Sequence, residues 1–337
     1  MSIEDGSESG PQNVSGQAPL RVLVVGAGTM APGIAAAFLA KGAHVQIWGR
    51  TPGSAARAVT TAGEMVAFLR THELASASAG GTVSAAGSVS AAAEAHVVVE
   101  AISEDLEAKR ELIRRLESAS SPDTLLATNT SGLKVSDVAE GMRAPERLVA
   151  MHFWNPAHLM PIVEICGGRA TAPMAVERAV ELARHIGKVP VVLKKEVLGF
   201  LGTRMQQAVV REAIGLLAAG VASPEAIDLA VRASFGIRFP AIGPLETTDL
   251  SGLDVILSIH RYLLPDLDSS TEPQEELSRR VAAGLVGVKS GAGFYDWSQR
   301  DAGAVVRRRD EELVRRLKLV SADPTFFELT AADRKES

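Results

Sequence analysis

Apolar residues first cluster without alternation at Arg21-Val22-Leu23-Val24-Val25, a β-branched run that predicts a strand covered on both faces of a parallel sheet. The run stops at Gly26. Residues from Ile34 to Leu39 suit a helix, and a second strand is expected over Ala43 to Trp48 after Lys41-Gly42, giving one strand-helix-strand unit. Further apolar strands are expected at His96 to Val99, Leu125 to Thr128 and Leu148 to His152, with a helical segment from Leu106 to Ala119 among them. Ile162 to Ile165 reads as another strand, Met174 to Ile186 as a helix, and Val189 to Leu193 as the strand it leads to. Strands alternating with helices predict an α/β fold: a Rossmann-type, doubly wound and mostly parallel sheet. Between Thr51 and Ala93 the chain is rich in Ala, Ser and Gly, and only Glu64 to Leu74 stands out as helix-like.

Past Lys194 the strand pattern ends. Helical segments at roughly 197–219 and 224–234, a loop marked by Pro240, Gly243 and Pro244, and a helix over 249–263 predict an all-α C-terminal domain. The expected division is a disordered tail at 1–20, an α/β domain at 21–194, an α-helical domain at 195–297 and a charged helical extension at 298–337. Within that extension Val305 to Val320 forms a helix whose Leu313, Leu317 and Val320 line one face. The first twenty residues have almost nothing to bury, which is why they are read as disordered.

Composition narrows the function classes. Its 337 residues favour two domains over one. Hydrophobic residues make up 46%, charged residues 22%, and the formal net charge is -5, so no clustered basic surface points to nucleic acid. A single cysteine, Cys166, permits no intrachain disulfide and suits a reducing compartment. The acidic N-terminus does not read as a signal peptide, and no apolar run approaches the roughly 20 residues of a membrane span. A cytoplasmic protein without membrane, nucleic-acid or metal partners is therefore expected.

Four stretches carry chemistry. Gly26-Ala27-Gly28-Thr29-Met30-Ala31 fits G-x-G-x-x-G/A after a strand and before a helix, where two glycines let the backbone approach a pyrophosphate at the helix N-terminus. The second strand ends in Gly49-Arg50-Thr51 where an NAD-binding chain would place an acid, so Arg50 and Thr51 favour the 2'-phosphate of NADP, with NAD left open. His152, in Met151-His152-Phe153-Trp154-Asn155-Pro156, lies twelve residues before Glu164. A neutral imidazole beside a carboxylate can take the proton of an alcohol as hydride leaves its carbon, but a His-Glu pair across neighbouring strands is also a common structural arrangement. Thr128-Asn129-Thr130-Ser131-Gly132 places hydroxyl and amide groups at the carboxyl end of a strand, the end that faces the ligand crevice in such sheets. The remaining histidines, His44, His72, His96, His158, His185 and His260, have no comparable setting.

The segments GAGTMAPGIA, VVEAISEDLEAKRELI, ATNTSGLKVSDVA, MHFWNPAHLMPIVEI, GPLETTDLSGLD and KSGAGFYDW, in order from Arg21 to Trp297, resemble the 3-hydroxyacyl-CoA dehydrogenase family. The resemblance implies an NAD(P)-dependent oxidoreductase that interconverts a 3-hydroxy acid derivative and its 3-keto form, with His152 and Glu164 as the catalytic dyad. It implies that Ser131 hydrogen-bonds the substrate's 3-oxygen beside the nicotinamide. It also makes Gly26, Gly28, Thr29, Met30, Glu104, Lys109, Asn129, Asn155 and Lys289 candidate cofactor contacts, and implies a homodimer built through the C-terminal domain.

Three departures bear on the substrate. Gly199-Phe200-Leu201-Gly202-Thr203-Arg204 has Thr203 where the family shows an Asn facing the substrate carbonyl, and threonine has a shorter reach. Residues 51–93 contain Arg57 and Arg70 but none of the lysines that meet CoA phosphates in acyl-CoA members. The chain also runs about forty residues past GFYDW, as in relatives acting on free hydroxy acids such as L-gulonate dehydrogenase-like crystallins and carnitine dehydrogenases. The substrate thus stays open between a 3-hydroxyacyl thioester and a free hydroxy acid. A non-catalytic, crystallin-like protein on the same fold is the rival outside enzymes, and His152, Glu164 and Ser131 argue against it. Imine reductases and 3-hydroxyisobutyrate-type dehydrogenases use a lysine base, and HFWNP is out of place in them.

Overall fold

The computed structural model describes residues 19–76 and 80–322. The tail expected at 1–20 lies, up to residue 18, outside the described residues, as does the extension beyond residue 322. The chain divides into two compact units, one comprising residues up to Thr130 with Val135–Lys195, the other Ser131–Lys134 with everything from Glu196 onward.

The first unit is built on eight strands: β1 Arg21–Val25, β2 His44–Trp48, β3 Thr82–Ala85, β4 Val97–Glu100, β5 Leu125–Thr128, β6 Leu148–Phe153, β7 Ile162–Gly167 and β8 Val189–Leu193. They form one sheet in the order β3-β2-β1-β4-β5-β6-β7-β8, parallel throughout except where β7 runs antiparallel to β6. Its helices are α1 Met30–Leu39, α2 Pro52–Thr71, α3 Leu106–Ala119, the single turn α4 Val135–Val138 and α5 Pro173–His185. The apolar runs behave as their lack of alternation predicts, since β4, β5 and β6 are buried at every residue.

The low-contrast region after Thr51 holds more order than its composition advertises. Helix α2 starts at a capping box between Thr51 and Ser54 and runs for 20 residues, far longer than the stretch Glu64 to Leu74. Its buried stripe is Ala55, Ala58, Ala62, Val66 and Leu69, a helical period written largely in alanine. The expected helix over 249–263 is two helices, because Gly252 at φ +90° breaks it between Ser251 and Leu253.

The second unit contains α6 Gly202–Ala218, α7 Pro224–Ala233, α8 Phe235–Arg238, α9 Pro244–Ser251, α10 Leu253–Leu263, α11 Glu275–Ala282 and α12 Ala302–Ala322. No residue of α7 to α11 is buried in the single chain. Leu245, Leu250, Leu253 and Ile237 are each more than 60% exposed. Among the described residues no helix is long and apolar enough to cross a membrane.

Candidate active site

Sheet register sets the site. Trp48, Val25, Glu100, Thr128 and Ala150 form one row across β2, β1, β4, β5 and β6, so the carboxyl ends of these strands make a common rim. Just past that row on β6, His152 lies directly opposite Glu164 of the antiparallel β7. The His152 Nδ1 stands 2.8 Å from Glu164 Oε2, and both side chains are buried. An ionised carboxylate only accepts, so Nδ1 carries the hydrogen of this bond and Nε2 is left with the lone pair. Trp154 donates its indole N–H to the same oxygen at 3.0 Å, and its ring lies 5.6 Å from the imidazole. Two donors on one buried oxygen hold the carboxylate, and the carboxylate holds the ring.

Between β1 and α1 the glycine turn has the shape a pyrophosphate needs. Gly26 adopts φ +133°, and a Cβ there would lie 2.4 Å from the Ala101 carbonyl oxygen, so the position accepts only glycine. At Gly28 a Cβ would meet nothing within 4 Å, leaving open space before the helix. Thr29 gives α1 no side-chain cap, so the first-turn N–H groups are left for an anion. Met30 begins the helix, and Ala31, the third motif position, is fully buried. These features fit a dinucleotide.

Arg50 and Thr51 are exposed at the end of β2, whereas Gly49 is buried. A Cβ at Gly49 would fall 2.6 Å from Ser54 Oγ and 2.9 Å from Ala27 Cβ. No carboxylate can stand there without moving the start of α2.

Buried charge at the rim escaped the sequence reading. Glu100, the last residue of β4, has no exposed surface. One carboxylate oxygen accepts from Ile102 N–H and from Lys109 Nζ, both at 2.7 Å, and the other from the Thr128 hydroxyl at 2.6 Å. Lys109 is equally buried and also lies 3.4 Å from Glu104, which accepts from the Thr130 hydroxyl. Lys109 shares the buried stripe of α3 with Leu112, Ile113 and Leu116, a helical period that announces its burial. Asn129, also buried, accepts from Phe153 N–H through Oδ1 at 2.8 Å, tying β5 to β6 next to His152. Asn155 is exposed, and its bond to Pro156 is cis.

Ser131 and Thr203 both belong to the second unit. Gly199 N–H donates to the Gly132 carbonyl at 3.2 Å, linking the Ser131–Lys134 segment to the turn that precedes α6, where Thr203 sits. Lys289 stands on an exposed 3-10 turn, Val288–Ser290, elsewhere in that unit.

Family models now decide the kinship. The one described as 3-hydroxyacyl-CoA dehydrogenase, NAD binding domain, matches residues 21–197, and the one for its C-terminal domain matches residues 199–297. The chain belongs to the 3-hydroxyacyl-CoA dehydrogenase family. It is a nicotinamide-dependent dehydrogenase. The 5-formyl-3-hydroxy-2-methylpyridine 4-carboxylate 5-dehydrogenase of Mesorhizobium japonicum is 32% identical over 295 residues, spanning 87% of this dehydrogenase and 96% of that protein. The 3-hydroxybutyryl-CoA dehydrogenase of Clostridioides difficile is 32% identical over 285 residues, 83% of this chain and all of that one. A solved 5-formyl-3-hydroxy-2-methylpyridine 4-carboxylic acid 5-dehydrogenase, described as an NAD+-dependent dismutase, aligns with TM-score 0.85 at 31% identity over 90% of this chain and 99% of its own.

Proposed function

We propose that this dehydrogenase interconverts a small, free 3-hydroxy acid and its 3-keto form, with His152 as general acid/base and Glu164 as its partner. The observation that carries the reading is the 2.8 Å contact between His152 Nδ1 and a buried Glu164 held by Trp154. When bound, the nicotinamide cofactor supplies the hydride acceptor for oxidation and the donor for reduction. His152 Nε2 takes the hydroxyl proton in the first direction and, as imidazolium, returns it in the second. Glu164 stabilises the imidazolium while its two donors keep its own position fixed. Ser131 and Thr203 are assigned to the substrate's oxygen. Gly26, Gly28, Thr29 and Met30 are assigned to the pyrophosphate, and Glu104, Asn129, Asn155 and Lys289 to the rest of the cofactor; Lys109, whose side chain has no exposed surface, acts through Glu104 rather than as a direct contact.

For NADP the support is Arg50 with no acid before it; the solved relative's NAD+ dependence favours the second reading, NAD. A free acid rather than a thioester is supported by the absence of lysine from 51–93 and by the M. japonicum relative, named for a carboxylate without a thioester. The family and the C. difficile relative favour the thioester as the second reading. A homodimer is supported by the apolar surface that α7 to α11 leave uncovered, and light scattering should give twice the chain's 35.4 kDa.

Initial rates with NADH and NADPH across matched 3-keto acids and their CoA thioesters test the substrate reading. Turnover of the free acids at higher kcat/KM supports it. Turnover confined to thioesters contradicts it.

A further inference from the structure

Glu100 does work that the acid/base chemistry does not use. Burying a carboxylate and an ammonium with no exposed atom adds little net stability over an apolar pair of the same volume, so what such a pair contributes is geometry. The geometry here is specific. Oε1 fixes Ile102 N–H at 2.7 Å, and so sets the Ala101–Ile102 peptide on which Gly26 rests, its virtual Cβ 2.7 Å from Ala101 C. Oε2 fixes the Thr128 hydroxyl, and the Glu100 carbonyl accepts from Asn129 N–H at 2.8 Å, which sets the end of β5. Lys109 carries the same order across to Glu104 on the exposed side of the rim.

We propose that Glu100 is a positioning residue for the dinucleotide: its carboxylate, with Lys109 as counter-ion, holds the floor of the Gly26 turn, the end of β5 and Glu104 in one arrangement. This rests on the reading that the turn and the rim receive the cofactor. Glutamine at 100 would keep the shape, with its amide oxygen toward Lys109 and Ile102 N–H and its NH2 toward the Thr128 hydroxyl, which must then accept instead of donate; the buried counter-charge of Lys109 is lost. The peptide under Gly26 is then held by a neutral oxygen in place of a carboxylate, and the cost falls on cofactor binding.

The test measures the dissociation constants of NADH and NADPH for the full chain by fluorescence titration, together with the melting temperature without cofactor. Glu117→Gln is the control. Glu117 lies near the C-terminal end of α3, the helix that carries Lys109, is also buried, and its carboxylate accepts from Arg143 and Ala144 N–H. Glu100→Gln should raise the dissociation constant of the preferred dinucleotide tenfold or more, while Glu117→Gln lowers the melting temperature and leaves that constant within twofold. Thr128→Val removes one hydrogen bond to Glu100 and no charge, and should raise the constant about threefold; it serves if Glu100→Gln does not fold. Wild-type affinity in Glu100→Gln, or in Thr128→Val where only that variant folds, overturns the positioning role alone. A wild-type chain that binds neither dinucleotide overturns the functional reading and this proposal with it.

Discussion

Trp154 donates its indole N–H to the same oxygen of Glu164 that His152 engages, at 3.0 Å beside the 2.8 Å contact of the imidazole. The carboxylate is therefore held from two sides, and the two contacts separate its functions. Trp154→Phe keeps an aromatic ring and deletes the donor, which removes one of the contacts that align Glu164. A hydrogen bond to a charged group is worth about 1.5–3 kcal/mol, and partial loss of that alignment should lower kcat about three- to tenfold. Glu164→Gln should cost more, because the amide can still orient the imidazole but cannot stabilise its charge. Steady-state kcat for the two variants checks the order, and equal rates in Glu164→Gln and wild type would make the pairing structural only.

Cofactor preference is expected to lie with NADPH. An arginine meets a 2'-phosphate through charge-assisted hydrogen bonds, and one such bond corresponds to roughly ten- to hundredfold in affinity. Arg50→Ile should lower kcat/KM for NADPH by that factor and leave NADH nearly unchanged. The preference should weaken with added salt, since Arg50 is exposed. Introducing the customary acid at position 49 is a poor route to NAD, because its Cβ would collide with Ser54 Oγ and Ala27. If Arg50→Ile leaves NADPH kinetics untouched, the phosphate role is wrong.

Thr203 stands where the family places an asparagine, and its shorter side chain should hold the substrate's oxygen differently. Thr203→Asn is expected to reorder kcat/KM among 3-keto acids and thioesters while cofactor KM stays within about twofold. A uniform change across all substrates would argue against a specific contact.

Lys188 gives a pH signature to the first unit. It is buried, donates to the Met160 carbonyl at 2.8 Å, and burial together with the nearby Lys41 lowers its pKa from 10.5 to about 7. Between those values the unfolded chain holds the proton and the folded chain does not, so stability rises with pH across that window and is lost as pH falls toward 7. Lys188→Met removes the group. Melting temperatures of wild type relative to Lys188→Met should therefore rise between pH 7 and 9, and a difference independent of pH would contradict the assignment.

What the sequence made legible follows from contrast. The all-apolar strands were readable because a buried parallel strand admits little else, and β1 and β5 lie where their runs place them. Helix α2 was not, because a stripe written in alanine differs little from the alanine on its other faces. Gly252 was visible as a residue, but a glycine inside a helical pattern does not by itself announce the φ of +90° at which the helix breaks. At the site, His152 and Glu164 were legible as a pair, whereas their direct opposition needed the antiparallel register of β6 and β7. Glu100 carried one signal, an acid closing a strand of three valines, and that signal names burial without naming Lys109 as the partner.

Acid/base catalysis by His152 is the central claim, and the measurement closest to it is kcat of His152→Gln beside its affinity for the preferred dinucleotide. Glutamine keeps hydrogen-bonding capacity toward Glu164 but cannot exchange a proton near neutral pH. The account predicts a loss in kcat of about 10²-fold or more, the scale of general acid/base catalysis, with cofactor affinity within about twofold of wild type. Turnover at the wild-type rate with intact cofactor binding would remove His152 from the mechanism and contradict the account.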